Sequence, residues 1–233
     1  MAVAQAVWTA AGTSSTSGTT VVTATAVLTS GNYGVAFVAF DTLSASTPTV
    51  SITDSGGGSW TQIGTTVRSA TFGIGKPSNA IFIRTTVGTG STMTVTATFS
   101  SAITYKVITT LQFSGTAGSV SSITSVLGTT QPPALTTPAA TASGDMYVTH
   151  LALNDTSPQG WSGWTAASTG TIGSNPSAES SYTFIRAATA SGTTTTGSGN
   201  QTNNTATSVE VAFVIFQGVV STSVESWGFL SIN

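Results

Sequence analysis

The sequence predicts an all-β protein made of two tandem antiparallel β-sandwich domains that arose by internal duplication. Three observations predict this fold: a composition with 48 Thr and 25 Gly among 233 residues, an alternation of apolar and Thr side chains, and a set of landmarks that occurs twice. Thr and Val favour strands and Gly favours tight turns, whereas the helix formers Ala, Leu, Glu and Lys are not concentrated in any segment.

Hydrophobic periodicity predicts the strands of the first half. Residues 33–40 are almost all apolar, as expected of a central strand that is covered on both faces. Residues 50–53 run into a glycine cluster at 54–59, which must turn the chain before the next strand. Residues 93–99 alternate apolar and Thr side chains, and residues 105–113 do so more loosely, which is typical of strands with one buried face.

The same landmarks recur in the second half in the same order. A Ser-Gly-Asn/Asp turn precedes an apolar strand, a Trp-Thr pair follows a later turn, a Phe-Ile-Arg strand comes next, and a closing strand ends in Gly. The matched segments are 30–33 with 143–146, 59–61 with 163–165, 81–84 with 183–186, and 111–115 with 215–218. Because the offsets stay between 102 and 113 residues, we interpret the chain as two copies of one β domain.

The chain is predicted to have three parts: copy one at residues 1–118, copy two at 119–218, and an apolar C-terminal tail at 219–233. Glycines and prolines between residues 115 and 138 interrupt any strand and place the boundary there. Residues 120–127 can supply the first strand of copy two, in the place of residues 21–28 in copy one. Each copy is expected to be a sandwich of seven or eight short strands, immunoglobulin-like or jelly-roll, and the sequence does not choose between them.

Charge and composition exclude several classes of function. The chain has 5 Lys and Arg against 7 Asp and Glu, and five cations cannot neutralise a nucleic-acid backbone. Hydrophobic residues make up 39% of the chain, which is enough apolar surface for folding. No segment resembles a membrane helix, and the N-terminus lacks the features of a signal peptide. The absence of Cys excludes disulfides, thiolate nucleophiles and the usual zinc sites.

Residues suited to catalysis are scarce. His150 is the only histidine and lies inside the apolar run 146–153, where a packed or hydrogen-bonded side chain is expected. Asp145, Asp155 and Glu179 are candidates for paired catalytic carboxylates, but nothing in their spacing brings two of them together. Four aspartates could hold Ca²⁺ and are expected instead to cap turns: Asp41, Asp54, Asp145 and Asp155. We therefore assign no catalytic residue, no cofactor and no metal, and we expect a protein that is not an enzyme.

Two arginines and two tryptophans occupy equivalent positions in the copies. For Arg84 and Arg186 we expect a repeated structural contact with a carboxylate or with strand-end carbonyls, or else a side chain that extends along the surface. Trp60 and Trp164 are expected to anchor a shared core or turn. Trp161 and Trp164 form the only local pair that could stack on a sugar, so a glycan is an alternative partner.

The C-terminal tail has no matching segment in copy one. It is rich in large apolar side chains, at Val224, Trp227, Phe229, Leu230 and Ile232. Two interpretations stay open. The tail folds back on its own domain as a last edge strand, or it docks on a neighbouring subunit.

This succession of parts resembles the Ig-like or jelly-roll β-sandwich repeat domain of bacteriophage virion structural proteins, which bacterial surface proteins share. The parts are the strand after Ser-Gly-Asn/Asp, the Thr-Asp-Ser-Gly turn before an aromatic residue, the Phe-Ile-Arg strand, the Thr/Val alternation and the closing strand. They lie at 31–40, 50–61, 81–84, 93–99 and 111–115, and more loosely within 144–218. Copy two departs from the pattern at 159–164, where Gln-Gly-Trp-Ser-Gly-Trp replaces the Asp-Ser-Gly run.

The resemblance implies a non-enzymatic structural protein of a phage-like virion, such as a head decoration protein, a coat subunit or a segment of a tail or fibre. The implied partners are further copies of the chain and a major capsid or other virion protein. The implied location is the virion, after synthesis in the host cytoplasm. Two alternatives stay open: an extracellular filament or surface-layer subunit joined by strand donation, and a glycan-binding module.

Overall fold

A computed structural model describes residues 2–41, 47–69, 77–128, 135–153, 162–174, 177–197 and 208–217. The regular elements in these ranges are β-strands, which form antiparallel sheets in two groups, one for each copy. The predicted all-β fold with two tandem β-sandwich domains is therefore confirmed. Within these ranges, no helix is long and apolar enough to span a membrane.

Copy one contributes ten strands, more than the seven or eight expected. They are β1 (Ala4–Ser14), β2 (Gly18–Val22), β3 (Ala26–Val27), β4 (Tyr33–Asp41), β5 (Val50–Asp54), β6 (Trp60–Arg68), β7 (Pro77–Arg84), β8 (Thr92–Met93), β9 (Val95–Ile103) and β10 (Lys106–Ser114). The sequence does not predict β1, because its Ala and Thr residues do not alternate clearly.

Copy two contributes eight strands within the described ranges. They are β11 (Thr116–Val120), β12 (Thr124–Gly128), β13 (Leu135–Thr136), β14 (Met146–Leu153), β15 (Thr165–Ser174), β16 (Ser177–Ala187), β17 (Thr196–Gly197) and β18 (Ser208–Gln217). The boundary predicted after residue 118 falls inside β11.

Copy one folds as two facing sheets. Sheet 1 has the order β1-β10-β4-β7-β6, and the outer sheet has the order β2-β9-β5. The side chains between them form a continuous apolar core, in which the rings of Phe40 and Phe99 meet edge to face at 5.0 Å. Packing of this kind, with every second residue of each strand turned inward, accounts for the alternation in residues 93–99.

Copy two repeats the strand order of sheet 1. In sheet 2, β18, β14, β16 and β15 follow one another as β10, β4, β7 and β6 do, and β13–β17 corresponds to β3–β8. Together β11 and β12 pair with β18 on either side of residues 121–123, just as β1 pairs with β10 on either side of a bulge. The start of copy two therefore matches β1, and the expected match with residues 21–28 is wrong. The positions that correspond to the outer sheet lie outside the described residues.

The central strands of sheet 1, β4, β7 and β10, are buried on both faces, because the inner face of the sheet packs against sheet 2. The shared core contains Val35, Phe37, Ile83, Leu111 and Phe113 from sheet 1 and Val148, Ile185, Phe213 and Ile215 from sheet 2. The burial of residues 33–40 on both sides, which the sequence predicts, is therefore supplied by the second copy.

The packing between the copies is reciprocal. Strand β4 contacts β16 while its equivalent β14 contacts β7, and β10 contacts β16 while its equivalent β18 contacts β7. At the centre, the ring of Phe37 lies on the ring of His150, its equivalent in copy two, with 5.0 Å between centroids. Equivalent residues that meet each other define a local twofold axis, as in a symmetric homodimer.

Candidate functional site

The first candidate site surrounds Arg84 in copy one. Arg84 ends β7 opposite Trp60 of β6, and the turn after β5 brings Asp54 to both side chains. Asp54 Oδ2 accepts hydrogen bonds from Arg84 Nε at 2.8 Å and from Trp60 Nε1 at 2.7 Å. Its Oδ1 accepts one from the backbone N–H of Gly58 at 2.9 Å. Asp54 therefore holds the turn, the tryptophan and the arginine together, as expected of a turn-capping aspartate.

The ion pair at this site is buried. The side chains of Arg84 and Asp54 are 5% and 0% exposed. Arg84 Nη1 also donates to the carbonyl oxygens of Thr86 at 2.6 Å and Val87 at 2.9 Å, so this arginine contacts both a carboxylate and strand-end carbonyls. Burial by itself raises the pKa of Asp54, but the hydrogen bonds it accepts, that from Arg84 first, outweigh burial and hold the pKa below its usual value.

The equivalent residues of copy two have different surroundings. Arg186 is exposed, and its Nη1 donates to the Thr195 hydroxyl at 3.0 Å. Trp164 is half-buried and packs on two small apolar clusters, as Trp60 packs on the core of copy one. The two tryptophans thus both anchor on a core, whereas the two arginines share a position and differ in partners.

Several predicted residues lie outside the described part of the chain. They are Asp155, Trp161 and the tail residues Val224, Trp227, Phe229, Leu230 and Ile232. The sugar platform of Trp161 with Trp164 and the docking of the tail stay predictions.

Asp145 caps the turn that leads into β14. Its Oδ2 accepts from the backbone N–H groups of Thr141 at 2.8 Å and Ala142 at 3.0 Å and from the Thr141 hydroxyl at 2.9 Å. Its Oδ1 accepts from the backbone N–H of Gln217 at 2.9 Å, which ties the turn to the end of β18. Burial raises the pKa of Asp145, but these hydrogen bonds outweigh it, and the pKa lies below its usual value.

Polar side chains meet at the centre of the interface between the sheets. His150 Nδ1 lies 2.8 Å from Asn79 Oδ1, and His150 Nε2 lies 2.7 Å from Ser181 Oγ. Ser181 Oγ is 3.3 Å from Thr109 Oγ1, and Asn79 Nδ2 donates to the carbonyl oxygen of His150 at 3.1 Å. Because Asn79 Oδ1 can only accept, Nδ1 carries the imidazole proton and Nε2 accepts from Ser181. Two of these residues belong to each sheet, so the cluster joins the two copies.

The order Ser181–His150–Asn79 has the hydrogen-bond geometry that activates a serine nucleophile in some enzymes. All three side chains are at most 1% exposed, and burial lowers the pKa of His150 to about 3, which makes the imidazole a weak base at neutral pH. A cavity of about 340 Å³ at the edges of the sheets is lined by Ala10, Ala11, Thr109, Ala167, Ser168 and Thr169. Of the cluster, this wall includes Thr109 but neither Ser181 nor His150. The buried Ser181 and His150 are therefore better suited to holding the sheets in register than to reacting with a substrate.

Among the described residues, two glutamates are buried, and neither carboxyl oxygen of either one has a hydrogen-bond partner there. Glu179 faces the interface, where burial and then the negative charge of Asp41 raise its pKa well above the usual value. Glu210 has the same register position in copy two as Ile108 in copy one, and burial raises its pKa to about 9. The predictions from sequence missed the burial of both residues. For Glu210 the signal was present, since residues 209–216 are otherwise entirely apolar.

In the ranges given above, no group of three or more His, Cys, Asp or Glu side chains could hold a metal ion. Comparisons with protein-family models, with curated proteins and with solved structures gave no match.

Proposed function

We propose that the protein is a non-enzymatic structural subunit of a phage-like virion, which binds other copies of itself and a major capsid or other virion protein. The distribution of charge is the observation that supports this function best. Nine of the twelve charged residues lie in the described ranges, and six of them are buried: Asp41, Arg84, Lys106, Asp145, Glu179 and Glu210. The Asp54 side chain is also buried, Arg68 is half-buried, and Arg186 is exposed.

Because most of these charges are buried, the described part of the chain presents a surface with little charge. The exposed residues of the outer sheet, for example, include Ser51, Thr53, Thr98 and Ser100, and none of the exposed residues in its three strands is charged. Such a surface packs against other protein without the cost of desolvating charge, and it lacks the repulsion that keeps soluble monomers apart. A neutral surface therefore favours assembly with copies and with a shell.

The topology supports the same role. In copy one, the last strand, β10, lies between β1 and β4 and pairs antiparallel with both, and a second sheet covers the first. From this order we infer a jelly roll, which is a double-sheet architecture that is common in viral capsids. Copy one packs face to face with copy two through sheets 1 and 2, and a paired arrangement of this kind suits a position in a symmetric lattice. The virion is the proposed location.

Electron microscopy and sedimentation of the purified chain, alone and mixed with candidate phage shells, test this function. We expect rings, sheets or decorated shells. We also expect them to persist at high salt, because few surface charges are available for screening. Dispersed monomers at every concentration, with no binding to any shell, would overturn the proposal.

Further observations distinguish the alternatives. Filaments, together with a full-length gene that encodes a cleavable signal sequence, would favour an extracellular filament or surface-layer subunit. Binding to a glycan array that is lost on Trp161→Ala would favour a glycan-binding module. Trp161 is the better residue to change, because Trp164 packs on the core and its loss would also destabilise the fold.

A further inference from the structure

The inner faces of sheets 1 and 2 are complementary to each other and equivalent by sequence position. The contacts β4 to β16 and β14 to β7 are one contact seen twice, and Phe37 packs on its own equivalent, His150. An interface with this symmetry is the kind that joins separate copies in homodimers. Nothing in it requires that the two faces belong to the same molecule.

The connection between the sheets is as short as a connection can be. Strand β10 of sheet 1 ends at Ser114, and β11 of sheet 2 begins at Thr116. The single residue between them, Gly115, has a φ of 69°, in the left-handed region that residues with a Cβ rarely adopt. Short hinges of this kind favour exchange of domains between molecules, because the connection can extend to a second molecule while the interface is kept.

We propose that a second copy of this chain is a partner for these faces. Copy one of one molecule packs against copy two of the other, and the reverse, with Gly115 extended as the hinge. The exchanged dimer contains the same inter-sheet contacts as the closed monomer, including the His150 cluster and its hydrogen bonds to Asn79 and Ser181. This mode of association does not depend on the virion role.

Refolding from denaturant, at micromolar and at sub-millimolar concentration, tests the exchange. Light scattering after size exclusion then gives the mass of each product. We expect a dimer that increases with refolding concentration and that, once formed, persists on dilution until the chain is unfolded. In the Gly115→Val variant, Val is strained in the closed hinge of the monomer, and this strain is relieved in the dimer. Each of the two hinges is expected to contribute a factor of about 10, so the dimerisation constant should rise about a hundredfold.

Gly57→Val is the matched control. Gly57 has a φ of 71°, open space within 4 Å of the position that a Cβ would occupy, and a place in the turn between β5 and β6, far from the hinge in sequence. The substitution should lower stability without raising the dimer fraction. Monomers only, from the wild type and from Gly115→Val, would overturn the exchange, and so would a dimer that dissociates on dilution without unfolding. Either result leaves the shell-binding test of the virion role unaffected.

Discussion

Copies one and two have the same strand order and register and contribute equivalent inner faces, yet they differ in which polar side chains they bury. Copy one buries Arg84 against Asp54, whereas copy two leaves Arg186 exposed. Copy two places Glu210 where copy one has Ile108. The backbone pattern depends on which positions are apolar, and a few positions tolerate polar residues if a partner or a proton compensates them. Duplication has therefore preserved the fold, while the chemistry inside it differs.

The two arginines offer the largest test of this comparison. Arg84→Ala leaves the buried Asp54 carboxylate without its partner and is expected to lower the free energy of unfolding by about 3–5 kcal/mol. Arg186→Ala removes an exposed side chain and should change it by less than about 0.5 kcal/mol. Urea unfolding followed by tryptophan fluorescence measures both. Equal effects would mean that the arginines contribute equally despite their different surroundings.

The sequence predicts the backbone far better than the polar interior. Alternation predicts β9, because burial of one face imposes a period of two residues, and continuous apolar runs with the repeated landmarks predict β4 and β14. Strand β10 was expected to have one buried face but is buried on both, because sheet 2 covers its other side. The sequence patterns could not reveal that the inner faces of sheets 1 and 2 pack against each other, since an apolar strand has the same residue pattern whichever sheet covers it. The sequence patterns also could not identify the partner of Arg84. Asp54 is 30 residues away in sequence, and only the fold brings the two together.

Glu210 tests whether a polar residue in a core position has a cost that depends on pH. Its pKa in the folded protein, about 9, lies above the unfolded value near 4.5. The free energy of unfolding is therefore highest below pH 4.5, where the carboxyl is protonated in both states, and it falls as the pH rises towards 9. The expected loss between pH 4.5 and neutrality is roughly 3 kcal/mol. Glu210→Ile, which places in copy two the residue that copy one has at position 108, should remove the part of the pH dependence that Glu210 causes.

The reverse exchange sharpens the test. Ile108→Glu introduces a carboxyl into the core of copy one and should impose a similar loss of stability as the pH rises above about 4.5. Urea unfolding across the pH range measures both variants. Glu179 contributes in the same direction, because its pKa is also raised, so some dependence should persist in Glu210→Ile. A pH profile unchanged by Glu210→Ile would show that this carboxyl does not titrate as proposed.

The turns before β4 and β14 compare an amide with a carboxylate at equivalent positions. Asn32 Nδ2 donates to Gln112 Oε1 at 3.0 Å, whereas Asp145 accepts four hydrogen bonds. Asp145→Ala should cost about 2 kcal/mol or more, and Asn32→Ala about 1 kcal/mol. Because the pKa of Asp145 is lowered, its contribution should be lost as pH falls below its usual pKa of 3.8. Unfolding at acidic and neutral pH tests this, and an acid-insensitive difference between the variants would contradict it.

The glycines of these same turns give the smallest and most closely matched comparison. Gly31 and Gly144 have φ values of 82° and 95°, so a side chain is strained at either position. No atom lies within 4 Å of a Cβ built on Gly31, whereas one built on Gly144 would lie 3.0 Å from the Cβ of Ala2. Gly31→Ala should therefore cost about 1 kcal/mol from backbone strain alone.

Gly144→Ala should cost the same strain plus the displacement of Ala2, next to the hydrogen bond from the backbone N–H of Val3 to the carbonyl oxygen of Gly144 at 2.8 Å. Amide hydrogen exchange separates the two terms, because strain alone lowers protection in the turn, whereas displacement of the N-terminus also lowers protection at Val3. Equal costs for the two variants, with Val3 still protected, would mean that the N-terminus adapts to the methyl group and that the two turns are energetically equivalent.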